Sequence, residues 1–262
     1  MWLGKNLLGF SLLLSSIFIT LIPLSNSSYA AEWEDIERRG KLIIGVKDNL
    51  APLGFRNEEG ELQGLEIDIA KRLAAELLGD PEAIIFKPVS NLERFQVVLN
   101  DEVDLTIAKV TLTDSRARVV DFSPYYYLDG TGLITKNNSR QKLTDFTEST
   151  IAVLENSNTI AVIKHHLPQA KLVGVKSYQQ AWKLLENNQA EAFAGDITIL
   201  TGWEQEYPKY RQLPLYLSGE PLGIIMPRGL QYQELRQKVN KAIIRWHNSG
   251  WLSQRATYWG LP

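Results

Sequence analysis

Short apolar runs alternate with longer stretches whose apolar positions recur at helical spacing, which predicts strands followed by helices in an α/β domain. "KLIIGV" (41–46) predicts a buried strand, and the turn-rich "RNEEGELQG" a hairpin. In "LEIDIAKRLAAELLG", Ile69, Leu73 and Leu77 mark one helix face, and Gly79 stands where a C-cap belongs. "IIFKPV" and "VDLTIAKV" predict two more strands, separated by a helix that Ser90 and Glu93 open as a capping box. The pattern then restarts. "GTGLITK" (130–136), "TIAVLE" (150–155), "KLVGV" and "AEAFAG" predict strands, with helices in "SNTIAVIKHHL", "SYQQAWKLLENNQ" (a Ser177 to Gln180 box) and "DITILTGWEQEY". "LGIIMP" returns the chain to a strand, and helices over 232–247 and 252–258 finish it. Two α/β units joined by extended crossings near 127–132 and 218–223 are therefore expected, interleaved in sequence because no Ser/Gly-rich linker divides them.

The first thirty residues stand apart from this pattern. Lys5 is the only charge before Glu32, an apolar run fills Leu7 to Leu24, and a small-x-small site ends at Ala30. That is the pattern of an export signal. The run is also long enough for an uncleaved anchor, but Pro23 and Ser28-Tyr29-Ala30 favour cleavage. The chain has no cysteine, which removes lipid attachment, a disulfide framework and thiolate chemistry. With the leader gone, 27 basic residues face 30 acidic ones. No basic block appears, so nucleic acid is not an expected partner. No cofactor motif is present. His165, His166 and His247 are the only histidines, and their placement gives no metal site.

Five segments, in order, resemble the periplasmic solute-binding proteins of polar amino-acid ABC transporters (bacterial extracellular solute-binding protein family 3). They are "RGKLIIGV", "GELQGLEIDIAKRLAAELLG", "VDLTIAKVTLTDSRARVVDFSPYYY", "YQQAWKLLENNQAEAFAGD" and "NSGWLSQRATYWG". The resemblance implies a two-lobe periplasmic binding protein type 2 fold, each lobe a mixed sheet flanked by helices. Lobe one would combine 32–127 with 223–262, and lobe two would be 128–222, after a signal peptide over 1–30. It implies a monomeric, exported binding protein rather than an enzyme, which captures a free amino acid by hinged closure and delivers it to a permease.

The resemblance also assigns residues. Arg116 takes the ligand's α-carboxylate, which a planar guanidinium fits with two parallel hydrogen bonds. Without that assignment, an arginine in a first helical turn reads as a solvated surface residue, badly placed for the helix dipole. Thr111 adds a hydroxyl to the carboxylate, helped by backbone N–H groups near Lys109 and Thr111, while Thr113 stays structural. Ser157 and Asn158 open a helix whose N–H groups suit an anion, although plain capping explains them as well. Asn156 departs from the glycine usual there. Asp196 binds the α-ammonium in the family; as an isolated residue it is equally an N-cap.

Near the ligand side chain, Lys47 stands where the family often has aspartate, Leu50 where it has an aromatic, and Lys109 where it has a small residue. Two cations beside the pocket point to an acidic ligand; otherwise either lysine faces solvent or pairs with Glu155 or Asp48. Tyr125, Tyr126 and Tyr127 read as hinge packing. Two alternatives share the fold. A prephenate or arogenate dehydratase would need a general acid over its substrate ring, with Glu155 or Lys109 as candidates. A ligand-sensing module would act through a separate partner.

Overall fold

A computed structural model describes residues 32–155 and 157–262, so the leader and Asn156 lie outside the described residues. The chain begins with α1 (Trp33–Arg39), β1 (Leu42–Val46), β2 (Asn49–Leu50), β3 (Gly54–Arg56), β4 (Leu62–Gln63) and α2 (Leu65–Leu78). β5 (Ile84–Pro88), α3 (Glu93–Leu99), β6 (Leu105–Ile107) and the long β7 (Asp121–Asp129) follow. Then come β8 (Thr131–Thr135), β9 (Thr150–Leu154), α4 (Thr159–His166), β10 (Lys171–Val175) and α5 (Tyr178–Glu186). β11 (Ala192–Asp196), α6 (Ile197–Glu206), β12 (Arg211–Gln212), β13 (Glu220–Met226), α7 (Gln233–Asn248) and α8 (Trp251–Tyr258) complete the fold.

Two five-stranded mixed sheets result, ordered β5-β1-β6-β13-β7 and β10-β9-β11-β8-β12, with a small β2-β3-β4 sheet beside the first. In each large sheet three neighbouring strands pair in parallel, and a single reversed strand, β13 in the first and β8 in the second, pairs antiparallel with both of its neighbours. The inner parallel strands β1, β9 and β11 are covered on both faces, so they are mostly apolar rather than alternating. Ile44, Leu105, Leu73 and Trp246 belong to the core of the first sheet. Phe193 and Trp203 fill one face of the second, and Phe146 and Ile151 the other.

Local chemistry sets the element ends. Gly79 closes α2 with φ +82°, a conformation that costs glycine little. The box before α3 is reciprocal: Glu93 N–H donates to Ser90 Oγ (3.2 Å), and Ser90 N–H donates to Glu93 Oε2 (2.9 Å). The box before α5 is not. Gln180 N–H donates to Ser177 Oγ (3.1 Å), but Gln180 Oε1 accepts from Lys176 N–H (2.9 Å).

The chain passes between the sheets twice, and the two passages touch. β7 runs into β8 through Gly130, while β13 pairs with β7 from Glu220 opposite Asp129. A Cβ on Gly130 would stand 2.2 Å from the Ser218 carbonyl oxygen, so the strands approach closely only because glycine is there. Of the three tyrosines in β7, Tyr126 donates to Glu66, Tyr127 donates to the Pro262 carbonyl (3.3 Å), and Tyr125 lies against His247.

Candidate functional site

The parallel strands of both sheets point their carboxyl ends at one cleft of about 600 Å³, the place where open α/β sheets bind ligands. Lys47 follows β1, Lys109 and Thr111 follow β6, Ser157 and Asn158 follow β9, and Asp196 ends β11. All six line the cleft, as does Leu50 on β2. Arg116 is not among the lining residues. It sits behind Thr111, donating to the Thr111 carbonyl from Nη1 (2.8 Å) with its guanidinium 5.5 Å from the Phe95 ring centre. Its Nε and Nη2 meet no acceptor among the described residues.

Sequence reasoning missed Arg94, Tyr178 and Glu220, which also line the cleft. Arg94 occupies the first turn of α3, at the wrong end of the dipole for a cation. That mismatch, already noted for Arg116, was the available signal. Arg94 Nη1 donates to the carbonyls of Ala108 (3.0 Å) and Lys109, its Nε is buried without an acceptor, and it forms no ion pair among the described residues. Burial, then the neighbouring Arg116, pushes Arg94 below the usual arginine value. Tyr178 and Glu220 carried no signal of their own.

Lys47 is buried and donates to the Val89 carbonyl (3.0 Å); it pairs with neither Asp48 nor Glu155. Burial, with Arg94 next, lowers its pKa. Lys109 differs from both alternatives stated for it. Its Nζ bonds Asp196 Oδ2 across the cleft and lies 3.8 Å from Asp129 Oδ2. Burial alone would lower its pKa, but Asp196 and Asp129 together raise it. Burial raises the Asp129 and Glu220 carboxyls, and Asp196 adds to both shifts.

Asp196 does occupy the position before α6, yet its side chain makes no cap hydrogen bond; the Lys109 ammonium holds it instead. Asn158 likewise makes no side-chain cap, whereas Ser157 Oγ accepts from Thr159 N–H (3.1 Å). Behind Lys109, buried Glu66 receives the Lys109 N–H (2.6 Å) and the Tyr126 hydroxyl on Oε1, while Oε2 has no partner among the described residues.

The cleft is therefore electrically polarised. Lys47 and Arg94 contribute positive charge without an ion-pair partner among the described residues, whereas Asp196 and Glu220, with Asp129 behind them, gather round Lys109. Among the described residues no cluster of three or more metal-ligating side chains occurs.

The family model of the bacterial extracellular solute-binding proteins, family 3, matches residues 42–262. A glutamine-binding protein of Geobacillus stearothermophilus is 35% identical over 194 residues, 73% of this chain and 74% of that protein. An ABC transporter glutamine-binding protein of Bacillus subtilis (strain 168) is 28% identical over 255 residues, 92% of this chain and 93% of its own. Among solved structures, a solute receptor for L-cysteine from Neisseria gonorrhoeae superposes with TM-score 0.67 at 26% identity, over 87% of this chain and 93% of that one.

Proposed function

The chain belongs to the bacterial extracellular solute-binding proteins, family 3, and we propose that it captures a free polar or acidic amino acid in this cleft and hands it to the permease of an ABC transporter. The observation that carries the proposal is the polarised cleft. A zwitterion offers one carboxylate and one ammonium, and two facing walls of opposite sign orient it without a cofactor. The named ligands of the two relatives above, glutamine in both, fit this class.

In this reading the α-carboxylate goes to the hydroxyl and N–H of Thr111, with Arg116 supplying its unused edge and Arg94 the field beside it. Asp196 takes the α-ammonium, and the start of α4 at Ser157 closes over the ligand. Lys47, Lys109 and Leu50 face the side chain. The two lobes, 32–127 with 223–262 and 128–222, move about the paired crossings, and ligand shifts the population toward the closed arrangement. Micromolar affinity, about 8 kcal/mol, suffices for capture and still allows release. The protein works as a monomer outside the cytoplasmic membrane, after removal of residues 1–30.

Isothermal titration of the purified protein against each common amino acid tests this. Saturable binding of at least one polar or acidic amino acid is expected, and absence of binding by all of them overturns the proposal.

A further inference from the structure

Lys109 is an unusual residue for its place. Its backbone holds φ +50°, a left-handed conformation that a lysine seldom adopts. Three contacts impose it: Glu66 accepts its N–H, Arg94 donates to its carbonyl, and Asp196 binds its ammonium. Such over-determined conformations mark functional positions. The ammonium reaches from β6, in the first sheet, to the end of β11, in the second, and takes the oxygen that a ligand amine needs.

We propose that Lys109 is the selectivity residue of this cleft: an internal ammonium seated on Asp196 that a ligand's amine must replace, and that an acidic side chain compensates by offering the released lysine a carboxylate. The proposal rests on the amino-acid reading above and deepens it. Exchange of one ammonium for another leaves Asp196 paired, so the carboxylate loses nothing. Lys109 does lose. It is pushed back into a cleft that already contains Lys47 and Arg94, neither in an ion pair among the described residues. With a neutral side chain beside them, three cations share a desolvated space, which is costly. A second ligand carboxylate meets all three, so the lysine that obstructs a neutral amino acid helps to hold an acidic one.

Glutamate and glutamine differ by one group and make the sharpest probes. Titration of both into the wild type, Lys109→Met and Lys109→Gly tests the idea. Lys109→Gly also removes the backbone conflict, since glycine accepts φ +50°, so one of the two variants keeps its fold. The wild type should prefer glutamate. In each variant glutamine should bind at least tenfold more tightly than in the wild type, and the preference for glutamate should fall at least tenfold. Unchanged or weaker glutamine binding in both variants, or a wild type that prefers glutamine, overturns the role of Lys109 and leaves amino-acid capture standing. Failure of all three proteins to bind any amino acid would instead remove the parent reading, and this one with it.

Discussion

Gly202 in α6 and Ala51 in the β2–β3 turn face each other so closely that a Cβ on Gly202 would stand 2.4 Å from the Ala51 carbonyl oxygen. The Ala51 turn belongs to the small sheet beside the first large one and α6 packs on the second, so this contact exists only while the halves are together. Gly202→Ala should disturb the contact and spare the helix, because alanine is the better helix former by about 1 kcal/mol. We expect unchanged or raised thermal stability, affinity at least tenfold weaker, and a ligand-induced compaction in small-angle scattering that shrinks or vanishes. Affinity equal to the wild type would show that this approach does not limit closure.

Asp196→Ala removes the anchor of the cleft's acidic wall, and Arg116→Ala the guanidinium behind Thr111. Each should weaken binding at least tenfold, about 1.4 kcal/mol, in isothermal titration. Arg94→Ala, which deletes the guanidinium that does line the cleft, ranks the two arginines. The larger loss identifies the one that meets the carboxylate. Wild-type affinity in both Asp196→Ala and Arg116→Ala would refute the assigned site.

Burial raises the Glu66 carboxyl above the ordinary glutamate value of 4.5, despite the Tyr126 hydroxyl and the Lys109 N–H that favour its ionised form. A raised value means that the folded chain keeps a proton the unfolded chain has lost. The resulting stabilisation is complete below pH 4.5 and is lost as pH rises through the folded value. Glu66→Gln cannot ionise, so urea unfolding across that range should fall less steeply with pH than in the wild type. Parallel profiles would show that Glu66 does not titrate as its burial implies.

Phe193 is fully buried in the second sheet, with its ring 5.3 Å from that of Trp203. Phe193→Ala leaves a cavity that the strands around it cannot collapse to fill, and should cost about 3–5 kcal/mol in denaturant unfolding. A loss below 1 kcal/mol would mean that this face of the sheet repacks freely.

Most of the strands and helices were legible in the chain because their determinants are local, although α1, β2, β7 and β12 were not among the predicted elements. Ile69, Leu73 and Leu77 repeat on one face of α2, and Gly79 stops it. The cleft was legible through the family resemblance, which named Lys47 and Asp196 at strand ends and also Leu50, Lys109, Thr111, Ser157 and Asn158. The pairing of Lys109 with Asp196 joins positions 87 residues apart, and no spacing rule reports such a contact. Lysine also gives no warning of a left-handed backbone, as glycine or asparagine would have. Arg94, Tyr178 and Glu220 enter the cleft through the folding-back of α3, α5 and β13, which only the assembled sheets determine.

Because β7 and β13 are bonded to each other from Asp129 and Glu220 inward, the passages between the sheets form a two-ply ribbon rather than two separate tethers. A ribbon bends across its flat face far more readily than it twists or stretches. Opening thus reduces to swinging about one axis, like a book on its spine, and one pair of fluorophores placed on the fore-edges would follow the whole excursion as a single distance.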